Sequence, residues 1–203
     1  TFFKFYTDPT RYERTGQNNA RALLYDNKNR LWIACKDKTI AIYDNSHNFL
    51  GYLHFDGSVS MQPDTSLGMA YAITQDKSGT IWIGTKGNGL IEVQPGHSSL
   101  HFLLKQYKYS VEDIYSLSHN DIYAVCEDAV GRIWIATFGG GVNYMEQIEG
   151  KTRFINYRNK LKKFPIPLCY RTRDLVSDGN GRIWIATSNG LLACKEKFSD
   201  AEQ

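Results

Sequence analysis

The sequence predicts an all-β fold, a β-propeller of four-stranded antiparallel blades, and three observations predict it. A ten-residue phrase occurs four times, as DNKNRLWIAC at 26–35, DKSGTIWIGT at 76–85, DAVGRIWIAT at 128–137 and DGNGRIWIAT at 178–187. It holds all four tryptophans, Trp32, Trp82, Trp134 and Trp184, spaced 50, 52 and 50 residues apart. A fixed period of a few tens of residues marks a repeat architecture. The strand around each tryptophan is apolar on both faces, as in a sheet covered on both sides. Sheets of four short strands at this period are propeller blades.

Each repeat reads as four strands. Repeat one has ARALLY, the turn at 26–29, RLWIAC, TIAIYD and FLGYLHF. Repeat two has AYAITQ, TIWIGT, LIEVQ and HFLLKQY; repeat three has DIYAVCE, RIWIAT, VNYME and TRFINY. Repeat four has RTRDLVS, RIWIAT and LLACKE, and no outer strand follows. The first turns begin with Asp26, Asp76, Asp128 and Asp178, whose side chains can bond amides within the turn. Gly79, Gly131 and Gly181 close three of them at the position that needs positive φ, and Asn29 stands there in the first. These turns and the tryptophans are expected to be structural. The blades are placed at 18–55, 67–107, 120–158 and 170–203, and TFFKFYT at 1–7 resembles the outer strand at 152–158. Either that segment closes a four-bladed ring or the chain is a piece of a longer array. The second reading is preferred, because residues 1–7 also fit as the tail of a preceding blade.

Composition narrows the function. Apolar residues make up 42%, too many for a disordered chain, and a net charge of +3 is too mild to imply nucleic-acid contact. Cys35, Cys126, Cys169 and Cys194 have no CxxC spacing, and the five histidines have no metal-ligand spacing, so no metal or cofactor is expected. No nucleophile or paired carboxylate stands in a catalytic context, so no catalytic residue is assigned. No apolar run is long enough to span a bilayer.

The phrase Asp-x-x-Gly-x-Leu/Ile-Trp-Ile-Gly/Ala-Thr, followed by Gly-Gly-Leu/Val, resembles the two-component regulator propeller repeat, closely so at DKSGTIWIGTKGNGLIEV and DAVGRIWIATFGGGVNYM. VEDIYSLSHNDIYAV at 111–125 is similar to that family's blade-to-blade connection. Repeat one departs most, with Cys35 for Thr and LysAspLysThr at 36–39 where glycines are expected. The resemblance implies a seven-bladed propeller in the periplasmic sensor region of an inner-membrane hybrid two-component kinase. Such a region binds an oligosaccharide released from a glycan and controls transcription of utilisation genes. It implies a homodimer formed through the parent protein, with kinase and membrane parts outside this segment. A propeller lyase or hydrolase and a protein-binding scaffold are the alternatives.

Strand order in a meander puts the Asp turns at one end of the blades. The glycine hairpins and the linkers 8–19, 56–69, 108–120 and 159–170 lie at the other, where binding residues ride on loops. The candidates there are Arg11, Tyr12 and Arg14 in the first linker, and Tyr109, Tyr115 and His119 in the third. Arg158, Lys160, Lys162, Lys163, Phe164, Tyr170 and Arg171 lie in or beside the fourth. The basic run RNKLKK at 158–163 suits an acidic oligosaccharide, since guanidinium pairs with carboxylate or sulfate.

Overall fold

The computed structural model describes residues 19–196, which form four antiparallel sheets in sequence order. Blade 1 contains β1 (Ala20–Tyr25), β2 (Leu31–Cys35), β3 (Ile40–Tyr43), β4 (Phe49–Leu53) and β5 (Val59–Ser60). Blade 2 contains β6 (Met69–Gln75), β7 (Ile81–Lys86), β8 (Leu90–Pro95) and β9 (Phe102–Tyr107). Blade 3 contains β10 (Ile122–Glu127), β11 (Ile133–Thr137), β12 (Gly141–Ile148) and β13 (Lys151–Ile155). Blade 4 contains β14 (Thr172–Ser177), β15 (Arg182–Thr187) and β16 (Gly190–Lys195), three strands among the described residues. The expected strand at 1–7, with Arg11, Tyr12 and Arg14, lies outside the described residues. The innermost strands β1, β6, β10 and β14 pack successively against one another, as blades around an axis do.

Two local features depart from the sequence reading. The segment after β4 does not run as a plain linker, because β5 turns back and pairs with it, Leu53 opposite Val59. Gly51 makes room: a Cβ there would lie 2.6 Å from the Ser60 carbonyl oxygen. The second hairpin of blade 1 forms without glycine. Lys38 takes φ 75° in its place, and Asp37 Oδ1 accepts hydrogen bonds from the Thr39 amide and hydroxyl.

The core lies between the blades. Trp32, Ala34 and Ile42 of blade 1 pack on Ala70, Ile83 and Phe102 of blade 2. Trp82 and Leu90 pack on Ile122, Ile135 and Phe154 of blade 3, and Trp134 and Ala136 on Leu175, Ile183 and Ile185 of blade 4. Each tryptophan thus faces the following blade. Trp184 has no such neighbour among the described residues and is only half-buried. The small residue two beyond each tryptophan is explained at Gly84, where a Cβ would meet Ile122 Cγ2 at 2.6 Å.

The Asp turn does more than the sequence suggested. In blade 3, Asp128 Oδ1 accepts the amides of Val130 and Arg132 at 3.0 and 2.8 Å. Its Oδ2 accepts Arg132 Nε and Trp134 Nε1, both at 2.9 Å. Asp26 does the same for Arg30 and Trp32. The six-residue offset from Asp to Trp is therefore a hydrogen-bond requirement of a buried indole N–H, which must find an acceptor. Asn29 and Gly79 take φ 60° and 92°, as the turn demands.

The amide after each of the first three Asp residues ties to the next blade. Asn27 N donates to Gln75 Oε1 at 2.7 Å, and Lys77 N to Glu127 Oε2 at 2.9 Å. The equivalent residue in blade 4 is Ser177, which is too short to reach. Its hydroxyl instead donates to Glu196, whose other oxygen accepts from Ala129 N at 3.3 Å.

Candidate ligand-binding face

The linkers and glycine hairpins meet at one end of the blades. Gly89 N donates to the Asn120 carbonyl at 3.0 Å, and Gly139 N and Gly141 N both donate to the Tyr170 carbonyl at 2.9 Å. The face is therefore fastened by backbone bonds, a rigid platform rather than a set of free loops.

The candidate residues fall into two groups on it. The outer group lies where linker 108–120 crosses blade 3. Arg158 donates to the carbonyls of Ser110 and Val111 and to Ser116 Oγ, and its guanidinium lies 4.9 Å from the Tyr109 ring. Lys160 pairs with Glu146 at 3.0 Å, and Lys162 donates to the Arg158 carbonyl at 2.8 Å. The Tyr115 ring sits under the Arg153 guanidinium, 4.7 Å away, and its carbonyl accepts from Phe154 N. The basic run is thus divided among internal contacts that hold the linker down. Lys163 and Phe164 line a half-open, mainly apolar cleft of about 300 Å³ beside Trp134, Val142, Ile185 and Leu192.

The inner group lies at the axis. His119 Nδ1 accepts from the Asp121 amide at 3.0 Å and its ring backs Gly139, where a Cβ would meet it at 2.5 Å. The Arg171 guanidinium lies 5.1 Å from the Tyr170 ring and 5.4 Å from Phe138. Phe138 in turn belongs to a row that the sequence reading missed. Arg21 lies 3.7 Å over the Tyr71 ring, Tyr71 is 4.7 Å from Tyr123, Tyr123 is stacked 4.8 Å from Phe138, and Arg173 lies 5.1 Å from Phe138. Burial, with the Tyr71 phenol alongside, pushes the Tyr123 hydroxyl above the usual phenol range.

The row has a backbone cause. The pairing of every innermost strand with its neighbour shifts register at one place, between Ala20 and Ala22, Ala70 and Ala72, Ile122 and Ala124, and Thr172 and Asp174. The extra residues are Arg21, Tyr71, Tyr123 and Arg173, repeating at the tryptophan spacing. A bulge bends the strand and re-aims one side chain. Position-by-position alignment of the repeats, eleven residues before each tryptophan, is the signal that would have found them. Among the described residues no three His, Cys, Asp or Glu gather as a metal site.

Residues 66–87 and 116–139 match the family model of the two-component regulator propeller. No curated protein matches the chain. Similar solved structures include the extracellular domain of hybrid two-component system BT3049 from B. thetaiotaomicron, at 20% identity and TM-score 0.65 over 89% of this chain and 24% of that one. The extracellular domain of BT4673 from the same organism matches at 21% identity and TM-score 0.58, over 89% and 25%. Virginiamycin B lyase from Staphylococcus aureus matches at 15% identity and TM-score 0.55, over 88% and 56%. The chain spans about a quarter of the length of the two extracellular domains. At these identities the likeness is one of fold, and that fold is the β-propeller. The second and third blades thus carry the two-component regulator propeller repeat, with its phrase and its Asp–Trp bond.

Proposed function

We propose that the chain is part of the periplasmic ligand-sensing module of a hybrid two-component sensor kinase. It binds a glycan-derived oligosaccharide and so controls transcription of the genes that use it. The observation that carries this reading is the family match, joined to likeness with extracellular domains of hybrid two-component systems. A platform of backbone-fastened loops at one end of the blades supports it, since rigid positioning lowers the cost of binding. The segment acts without chemistry of its own. The signal leaves through the parent protein, as a change in the arrangement of its two copies.

Calorimetry with a panel of plant and host oligosaccharides, with product analysis by mass spectrometry, tests the reading. Stoichiometric binding without turnover is the expected result. Cleavage of a bound oligosaccharide would replace the sensor with an enzyme. A proteinaceous partner recovered in place of any sugar would replace it with a scaffold.

A further inference from the structure

The row at the axis carries charge that no carboxylate among the described residues neutralises. Among the described residues, Arg21, Arg171 and Arg173 form no ion pair with any carboxylate. Their neighbours are ring faces and, for Arg173, Ser188 Oγ at 3.3 Å. All three are exposed. A guanidinium lying over an aromatic ring is held in place while its in-plane N–H donors remain open, the geometry that takes a carboxylate or sulfate two bonds at a time. Lys86 adds a fourth positive charge near Tyr123, opposed by Asp121.

We propose that this row binds an oligosaccharide with repeated anionic groups, uronate carboxylates or sulfates, through Arg21 at one end and Arg173 with Arg171 at the other. The proposal rests on the glycan-sensor reading above and names its site and ligand class. Three rings separate the terminal arginines, so the row suits an extended chain with anions at intervals better than one small anion. Tyr123 and Phe138 each give a face to their stack, and Arg21 covers a face of Tyr71. Neutral sugars and nucleic-acid bases, which bind by stacking on free ring faces, therefore find less here than an anion does. The bulge explains why four different strands deliver these side chains to one place.

The test is calorimetry on the whole chain with four probes of matched length: an oligogalacturonate, a heparin-derived oligosaccharide, a cello-oligosaccharide and oligo-dT. One of the two acidic glycans binds, and its affinity falls as salt rises. Arg21→Gln and Arg173→Gln each weaken it at least about tenfold, as expected for a lost charge-assisted pair. Lys151→Gln, at the opposite end of blade 3, leaves it unchanged. Urea midpoints equal to the parent's confirm that these exposed substitutions keep the fold. Acidic binding indifferent to both arginine changes would overturn the proposal, as would tighter binding of oligo-dT than of either glycan. Equal or preferential binding of the cello-oligosaccharide overturns it while leaving the glycan sensor standing. Failure of every glycan in this panel and in the broader one removes both.

Discussion

Replacing Gly84 by alanine adds one methyl group at the seam between blades 2 and 3. The new Cβ would lie 2.6 Å from Ile122 Cγ2, 3.1 Å from Ile122 Cβ and 3.4 Å from Ala72 Cβ. Carbon atoms rest at about 3.5–4.0 Å, so the seam must open by about 1 Å. Ile122 is fully buried and β-branched, which leaves its γ-methyl no easy alternative rotamer. Overpacking of this kind costs about 1–3 kcal/mol, and relief of glycine's backbone entropy returns about 0.5–1 kcal/mol. The net expectation is a loss of about 1–2 kcal/mol, read as a lower urea midpoint at unchanged slope. Ile122→Ala alone costs about 2–5 kcal/mol through its cavity, but the double variant loses less than the sum because each change accommodates the other. Ile122→Val retains Cγ2 and brings no such relief. A Gly84→Ala variant as stable as the parent, or a strictly additive cycle with Ile122→Ala, would refute complementary packing at this seam.

Three further outcomes follow from the same geometry. Asp128→Ala strands the indole of Trp134, the Arg132 guanidinium and two amides, for a loss of about 3–5 kcal/mol in chemical denaturation, while Asp178→Ala, at an exposed turn, costs much less. Hydrogen bonds from Asn48 to Asp44, from Ser58 to Asp56 and from the Asn180 amide to Asp178 hold these carboxyls below their ordinary range. Their stabilisation is complete above the unfolded carboxylate pKa of about 3.9 and is lost as pH falls through the lower folded values, so the urea midpoint drops below about pH 4 and Asp44→Asn flattens the drop. Burial pushes the Cys126 thiol up to about 12 and the Cys194 thiol to about 11, and neither is in a disulfide, so a thiol reagent at pH 8 titrates these two only after unfolding.

Much of the fold was legible because its rules are local and repeated. The Asp turn recurs in every blade, and the tryptophan with the small residue after it reports a seam that recurs between successive blades. The turn at Asn29 was readable for the same reason, since few residues other than glycine take φ 60° readily. The strand β5 was not, because two residues of ordinary polarity carry no periodicity of their own. The axis row was hidden by its bulges. An extra residue breaks the alternation by which a side chain is assigned to one face, so Arg21 and Tyr123 look like ordinary strand residues. Charge in a linker was, conversely, easy to see and hard to interpret. Nothing in RNKLKK says that Arg158 will satisfy two backbone carbonyls or that Lys160 will reach back to Glu146.

The bulge also separates inheritance from invention. Its extra residue stands outside the strand ladder, so the pairing of Ala20 with Cys35 and Ala22 with Ala34 proceeds the same way whatever side chain stands at 21. Arginine and tyrosine both stand at that place among the four blades, twice each, without disturbing the sheets. Copying a blade adds a rung to the row, and exchanging one codon in the copy rewrites that rung alone. A lineage can thus search for new partners one letter per repeat, with the tryptophans and their aspartates carried along unaltered.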